Sequence, residues 1–296
     1  MSGNDASLLD LLKSWPLAVL PHQLLSRLVR SATRWKVSWW KNPLIRLFIR
    51  HFNVDMSQAE AVDAVDYADF NSFFTRALKP GARTFPDDLQ AITSPVDGRV
   101  SQAGDIRAGR LIQAKGQNYS LAALLGDDNQ SAADFENGKF ATLYLSPRDY
   151  HRIHMPCQGK LLETTYIPGR LFSVAPHTTR AIPGLFTRNE RMVSCFDTPA
   201  GPMALIMVGA IFVSCMETVW GGLVNPSMGM HLQKKRHDQG GSTAVNLQRG
   251  EQMGAFNMGS TVILLFGAER IDWVNNLQPG APVRLGQILG NIISRE

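Results

Sequence analysis

Gly259-Ser260-Thr261-Val262-Ile263-Leu264-Leu265-Phe266 is a small polar lead-in to an unbroken apolar run, and it reads as the start of a buried β-strand. Working back from it, short β-branched and aromatic runs alternate with Gly/Pro turns from Ile92 onward. They are Gly98-Arg99-Val100, Ala141 to Leu145, Lys160 to Tyr166, Met192 to Phe196 and Ala204 to Val213. Their lengths and punctuation predict the strands of a β-rich core. Ahead of them, Ser57-Gln58-Ala59-Glu60 has a capping-box pattern that predicts a helix through about Ala68. Asp69 caps a second helix carrying Phe70, Phe73 and Phe74, which Lys79-Pro80-Gly81 ends. Gly126 to Gln130 reads as an exposed loop, and no long repeat, low-complexity tract or extended linker interrupts the chain. The fold class expected is α+β, with a helical region over 1–90 and a β-rich domain over 91–296.

With 296 residues, 44% of them hydrophobic, the chain can bury one large core with an appendage rather than two full domains. Its three cysteines, Cys157, Cys195 and Cys215, are an odd number, which predicts a reduced, cytosolic setting. The opening Met1-Ser2-Gly3-Asn4-Asp5 places no positive region ahead of the apolar residues, so no secretory leader is expected. The longest apolar stretch, Met203 to Val213, falls short of the roughly 18–20 residues of a membrane span.

The net charge of +5 is unevenly placed. Lys13, Arg27, Arg30, Arg34, Lys36, Lys41, Arg46 and Arg50 crowd the first fifth of the chain beside Trp15, Trp35, Trp39 and Trp40. Leu24, Leu28, Trp35 and Trp39 recur at helical spacing and share a face with Leu25 and Ala32, while Arg27, Arg30 and Arg34 fall opposite. This pattern predicts a basic amphipathic helix lying on an anionic membrane surface, on the cytoplasmic side as a peripheral association. Pro16, Pro21 and Pro43 are expected to divide the region into short helices, and Leu44 to Ile49 to continue the same surface. The plainer alternative is a helix packed on the core with solvated arginines. Nucleic acid is not the expected partner, because no nucleic-acid-binding module accompanies the basic residues.

The Gly259-Ser260 bond can also carry chemistry. Glycine leaves the scissile carbonyl open, and serine supplies a nucleophilic Oγ and an α-hydrogen. Attack of Ser260 on the Gly259 carbonyl gives an ester by N→O acyl shift; elimination and hydrolysis then leave a pyruvoyl group at residue 260. Such a carbonyl forms Schiff bases with amines, the chemistry of amino-acid decarboxylation. Gly-Ser-Thr alone is a weak motif, and a second copy stands at Gly241-Ser242-Thr243 in a polar glycine-rich turn. Two further segments support Ser260. Ser94-Pro95-Val96-Asp97-Gly98-Arg99-Val100 sets an acid on a turn, and Ser146 to Cys157 carries His151 and His154. Acid, histidine and serine are the parts of an activated-serine mechanism. A turn aspartate bonding its own backbone and two surface imidazoles are the plain alternatives. A metal site with Cys157 is another, although two histidines and a thiol fall short of a structural zinc set.

Together with Phe70-Asn71-Ser72-Phe73-Phe74-Thr75-Arg76, Phe172-Ser173-Val174, Asn189-Glu190-Arg191, Val208-Gly209-Ala210, Glu217-Thr218-Val219-Trp220 and Gly250 to Phe256, these motifs resemble the phosphatidylserine decarboxylases of the proteobacterial type over nearly the whole chain. Met258 stands where that family usually has leucine, a change of similar volume. The resemblance implies a catalytic domain over 91–296 and a membrane-associating region over 1–90, self-cleaved into chains 1–259 and 260–296 that stay together, often as a homodimer. It implies that His154 takes the Ser260 proton, that Asp97 orients and stabilises the imidazolium, and that Ser260 becomes the pyruvoyl cofactor. That group would then decarboxylate phosphatidylserine to phosphatidylethanolamine. His151 is the candidate for proton transfer or for positioning the lipid carboxylate, because a histidine changes charge near neutral pH. Ser173 resembles a substrate contact; Glu217 and Trp220 read as structural. A serine hydrolase with Ser260 left intact and a non-catalytic membrane adaptor are the rival readings, and no Gly-x-Ser-x-Gly elbow surrounds Ser260.

Overall fold

Four helices lead the chain: α1 (Leu8–Ala18), α2 (His22–Thr33), α3 (Ser38–Phe52) and, after a 3-10 turn at Ala64–Asp66, α4 (Phe70–Phe74). The computed structural model describes residues 7–18, 22–114, 117–211, 216–224, 229–237, 244–257 and 260–294. The second Gly-Ser-Thr copy, Cys215, Met258 and Gly259 therefore lie outside the described residues, as do the side chains of Leu24 and Arg27.

Asp69 caps α4 as its position predicts. Its carboxylate accepts from the Ser72 backbone N–H at 2.7 Å, and Ser72 Oγ accepts from the Asp69 N–H at 3.1 Å. The helix is shorter than expected, closing at Phe74. It presents Phe70, Phe73 and Phe74 to Ile45, Phe48 and Phe52 of α3, forming a small aromatic core separate from the main one. Asn53 ends α3 in the left-handed conformation at φ 52°, a geometry asparagine tolerates.

Several expectations for this region are corrected. No helix starts at Ser57: Ala59 bridges Leu78, and the Glu60 N–H bonds the Ala77 carbonyl at 3.0 Å, so pairing with a distant segment overrides the local capping signal. Pro16 and Pro43 sit inside α1 and α3 rather than between helices. The Leu24-to-Trp39 stripe is not one helix, since α2 stops at Thr33 and α3 starts at Ser38. Residues 44–49 do not simply extend the open surface; Ile45 is fully buried, Phe48 and Ile49 pack on the aromatic core, and Leu47 is the large apolar residue left open. Lys41 is withdrawn from the basic surface, its Nζ bonding Asn42 Oδ1 at 2.8 Å and the carbonyls of Ala64 and Val65.

The strands that frame the site are β1 (Ala91–Thr93), β2 (Gly98–Asp105), β3 (Lys139–Leu145), β4 (Arg152–His154), β5 (Gly159–Ile167) and β6 (Arg191–Thr198). They continue with β7 (Gly201–Val208), β8 (Met216–Thr218), β9 (Gln252–Phe256), β10 (Ser260–Phe266) and β11 (Ile288–Ile292), short edge strands being left unlabelled. Among the described residues a nine-stranded antiparallel sheet runs β5-β6-β7-β10-β3-β2 through its middle. Every residue of β10 is buried, because β7 pairs it on one side and β3 on the other. A four-stranded sheet holds β8, β9 and β4, and a three-stranded sheet joins β1 to β11. The longer helices lie in the first 52 residues, and antiparallel sheets with four short helices, Leu121–Leu124, Asn129–Ala133, Pro176–Ala181 and Leu185–Arg188, follow residue 91, which makes the class α+β, as expected.

Candidate active site

Ser260 is the first residue of β10, opposite Leu145 of β3, at the point where the chain leaves one sheet and enters another. It is fully buried, and its Oγ has no hydrogen-bond partner among the described residues. A buried hydroxyl left unsatisfied costs about 1–3 kcal/mol; Thr142, Ser194 and Thr261 share that state, and Ser260 differs from them in opening on a cavity. Ser260 lines a cavity of about 180 Å³ with Phe48, Phe52, Phe74, Ser173 and Ala210. The fold thus brings Ser260 and Ser173 to one cavity, walled by aromatic side chains of α3 and α4. A larger cavity of about 600 Å³ adjoins it, sharing Phe52, Tyr144, Pro147 and Val174 and adding Arg99 and Arg148.

His151 stands just ahead of β4, stacked on Phe74 with ring centroids 4.1 Å apart and fully buried. Its Nε2 lies 3.1 Å from the Ser146 carbonyl oxygen. A carbonyl accepts, so Nε2 carries the proton and Nδ1 holds the lone pair, buried without a partner among the described residues. Burial and then the nearby Arg76 guanidinium push the ring's pKa down to about 3. The expectation that this histidine changes charge near neutral pH is corrected accordingly: in the fold it is neutral at pH 7, an orphaned base behind an aromatic wall of the Ser260 cavity.

His154 ends β4. Its Nδ1 donates to the Gly250 carbonyl at 2.7 Å, and its Nε2 lies 3.0 Å from the Tyr150 hydroxyl, which donates to it. Gly250 sits at φ +81°, a left-handed conformation that favours glycine, and Phe85 closes the space a side chain would need. Burial lowers the pKa of His154; the Gly250 carbonyl draws it back upward, Arg152 pushes it down again, and Asp97 adds a smaller upward pull. Asp97 occupies the turn between β1 and β2. Gly98 beside it has no room for a Cβ, which would collide with the Tyr144 carbonyl oxygen. The Asp97 carboxylate is gripped by Arg83 through Nε at 3.0 Å and through Nη2, and it accepts from the Leu285 N–H at 2.9 Å. It faces a cavity of about 280 Å³ with Arg76, Arg83, Arg148 and Tyr150.

The sequence-predicted residues therefore fall into two neighbouring groups. Ser260, Ser173 and, through Phe74, His151 surround one cavity; Asp97 and His154 lie together around Tyr150 and Arg83. No hydrogen bond among the described residues joins Asp97 to His154 or His154 to Ser260; the Asp97–His154 link is electrostatic. Sequence reasoning missed Arg83, the partner of Asp97, and Tyr150, the partner of His154. Tyr150 lay inside the quoted histidine segment, but nothing in its spacing marks a hydroxyl aimed at an imidazole. Cys157 is a core residue, its Sγ 3.9 Å from Met203 Sδ.

The family model described as phosphatidylserine decarboxylase matches residues 70–291, and a second, described as PSD, matches residues 12–53. Among curated relatives, the phosphatidylserine decarboxylase proenzyme of Stutzerimonas stutzeri is 50% identical over 272 residues, covering 92% of this chain and 91% of that protein. The proenzyme of the same name from Nitrosococcus oceani is 50% identical over 287 residues, covering 96% of this chain and 93% of that protein.

Proposed function

The chain belongs to the phosphatidylserine decarboxylase family, and from that premise we propose that it converts phosphatidylserine to phosphatidylethanolamine and carbon dioxide, using a pyruvoyl group made from its own Ser260. The observation that carries this reading is the state of Ser260, a buried, unpartnered nucleophile heading the central strand and opening on a cavity. Ser260 Oγ attacks the Gly259 carbonyl carbon, the amide gives way to an ester, and the serine nitrogen is freed as an amine. Removal of the Ser260 α-hydrogen expels the Gly259 carboxylate and leaves dehydroalanine. Water then releases ammonia and leaves the ketone at residue 260.

His154 Nε2 is the base for the Oγ proton in this reading. With Nδ1–H fixed on Gly250, Nε2 holds the lone pair, and a rotation of the Tyr150 hydroxyl frees it. Asp97 supplies a negative charge that favours the imidazolium, against burial and the nearby Arg152. The pyruvoyl carbonyl supplies an electrophile for the substrate amine and a sink for the electrons left when carbon dioxide departs. The site suits it: the cavity at residue 260 is apolar on the α3 and α4 side and is lined by two hydroxyl-bearing residues besides residue 260, Tyr144 and Ser173, of which Ser173 is the one for the lipid head group. His151 Nδ1 is the proton-exchanging atom for the lipid reaction in this reading, a role that requires Phe74 to move aside, since that ring stands between it and the cavity.

Region 1–90 is a peripheral foot on the anionic cytoplasmic face of the membrane, and 91–296 is the catalytic domain. Leu12, Leu28, Trp35 and Trp39 are each at least half exposed, an apolar set that water does not favour and a lipid surface does. No helix among the described residues is long and apolar enough to cross a membrane. Intact mass of the purified protein tests the proposal. Chains 1–259 and 260–296, the smaller blocked by pyruvoyl, are expected, with carbon dioxide released from phosphatidylserine. Ser260→Ala should stay a single inactive chain and Ser242→Ala should split normally; a split Ser260→Ala protein would overturn the assignment.

A further inference from the structure

The chain leaves β9 of the four-stranded sheet at Phe256 and enters β10 of the nine-stranded sheet at Ser260. Downstream the crossing is pinned by Ser260 pairing with Leu145. Upstream it is pinned by the Phe256 N–H on the His151 carbonyl at 3.0 Å and by Asn257, whose side chain reaches sideways to β8. Asn257 is fully buried, and its Nδ2 donates to Glu217 Oε1 at 3.0 Å while its Oδ1 has no partner among the described residues. The carboxylate of Glu217 is thus the polar anchor of this amide. The strands come close enough for it because Glu217 stands opposite Ala255 and the neighbouring Gly254 has no Cβ to strike the Glu217 carbonyl. The same Oε1 also faces Arg34 Nη2 at 3.4 Å, just past the end of α2.

We propose that Glu217 is a positioning residue for self-cleavage: by holding Asn257 it fixes the upstream flank of the Gly259-Ser260 bond, and through Arg34 its own seat depends on the docking of α2. An intramolecular attack is sensitive to such placement, since a displacement of about 1 Å can cost about a hundredfold in rate. Without the carboxylate both polar atoms of a fully buried amide are unsatisfied, and the segment has reason to shift toward water. Glu217 then has a part in maturation beyond packing, and the membrane foot is linked to the making of the catalytic group. This inference rests on the reading that the bond splits at Ser260.

The test uses the full chain made by cell-free synthesis on phosphatidylglycerol-containing vesicles, with the appearance of the small chain followed on denaturing gels. Glu217→Ala is expected to slow splitting by about tenfold to a hundredfold. Asn257→Asp sets two carboxylates face to face and should slow it as much. The double variant Glu217→Gln/Asn257→Asp restores the bond with donor and acceptor exchanged, and should split about tenfold faster than Asn257→Asp alone, a recovery expected only if this contact sets the geometry. Arg34→Gln should slow splitting by a smaller factor. Melting temperatures show whether each variant is folded. A wild-type splitting rate in folded Glu217→Ala, or a double variant no faster than Asn257→Asp, would overturn the positioning role, and an unchanged rate in Arg34→Gln would overturn the link to α2. Failure of the wild-type chain to split would instead overturn the underlying reading of Ser260.

Discussion

His151 shows most directly what burial does to a residue's chemistry. Its ordinary pKa of 6.5 falls to about 3 in the fold, so the unfolded chain takes up a proton at this position over a pH range where the folded chain does not. The stability tied to the neutral ring is complete above about 6.5 and is lost progressively as the pH falls toward 3, with a slope of up to about 1.4 kcal/mol per pH unit. His151→Gln should therefore lose less melting temperature than wild type between pH 7 and pH 4; equal losses would show that the ring does not drive the acid sensitivity. For catalysis, His151→Ala should still split and carry a blocked small chain while losing ~10²–10⁴-fold in phosphatidylserine turnover. Near-normal carbon dioxide release by that variant would leave the orphaned Nδ1 without a role, and failure to split would move it into maturation.

At the scale of elements, α3 has two faces with different work. Ile45 and Phe48 join α4 in the aromatic core beside the Ser260 cavity, while Trp39 is 69% exposed and Leu47 64%. Arg46 and Arg50 are exposed on the same helix. Arg34 and Lys41 are engaged within the protein, so the free basic surface is smaller than a count of residues suggests. Attraction to anionic lipid is worth about 1 kcal/mol per basic residue near the surface and is screened over about 8 Å at physiological salt. Replacing Arg46 and Arg50 by Gln should accordingly weaken binding to anionic vesicles at low salt and little at high salt. Trp39→Ser should weaken it at every salt concentration, because apolar burial is not screened. Vesicle sedimentation measures both; binding indifferent to all three changes would make α3 a purely structural helix.

Cleavage at residue 260 would leave the small chain threaded through the whole molecule. β10 lies between β7 and β3, the 282–283 strand pairs β2, and β11 pairs β1. The two chains should therefore co-elute under native conditions and separate only on denaturation; separation of folded chains on dilution would contradict this topology. On the proposed reading, assembly of the sheet would also come before the chemistry, since the buried strand would set the nucleophile. Leu264→Ala, which leaves a void in that strand, should cost about 2–5 kcal/mol of stability and lower the yield of split protein. Normal yield from a strongly destabilised variant would argue that splitting needs only local structure.

Much of this molecule is legible in local sequence. The apolar run from Val262 to Phe266 had to be a buried strand, the Gly/Pro-bounded runs before it held strands as well, although the one expected over Ala204 to Val213 stops at Val208, and Asp69 had to cap α4, because hydrophobic periodicity and capping act over a few residues. The candidates Asp97, His151, His154, Ser173 and Ser260 were visible as reactive residue types in distinctive motifs. What local sequence did not hold was which of them meet. The absence of a helix at Ser57, the inward turn of Ile45, the pairing of Asp97 with Arg83, the loss of charge on His151 and the grip of Glu217 on Asn257 all depend on residues more than ten positions apart, and the pairing of His154 with Tyr150, four positions away, on the path the backbone takes between them. Those contacts and that burial exist only once the sheets have closed, and they set the electrostatics that reactive side chains feel.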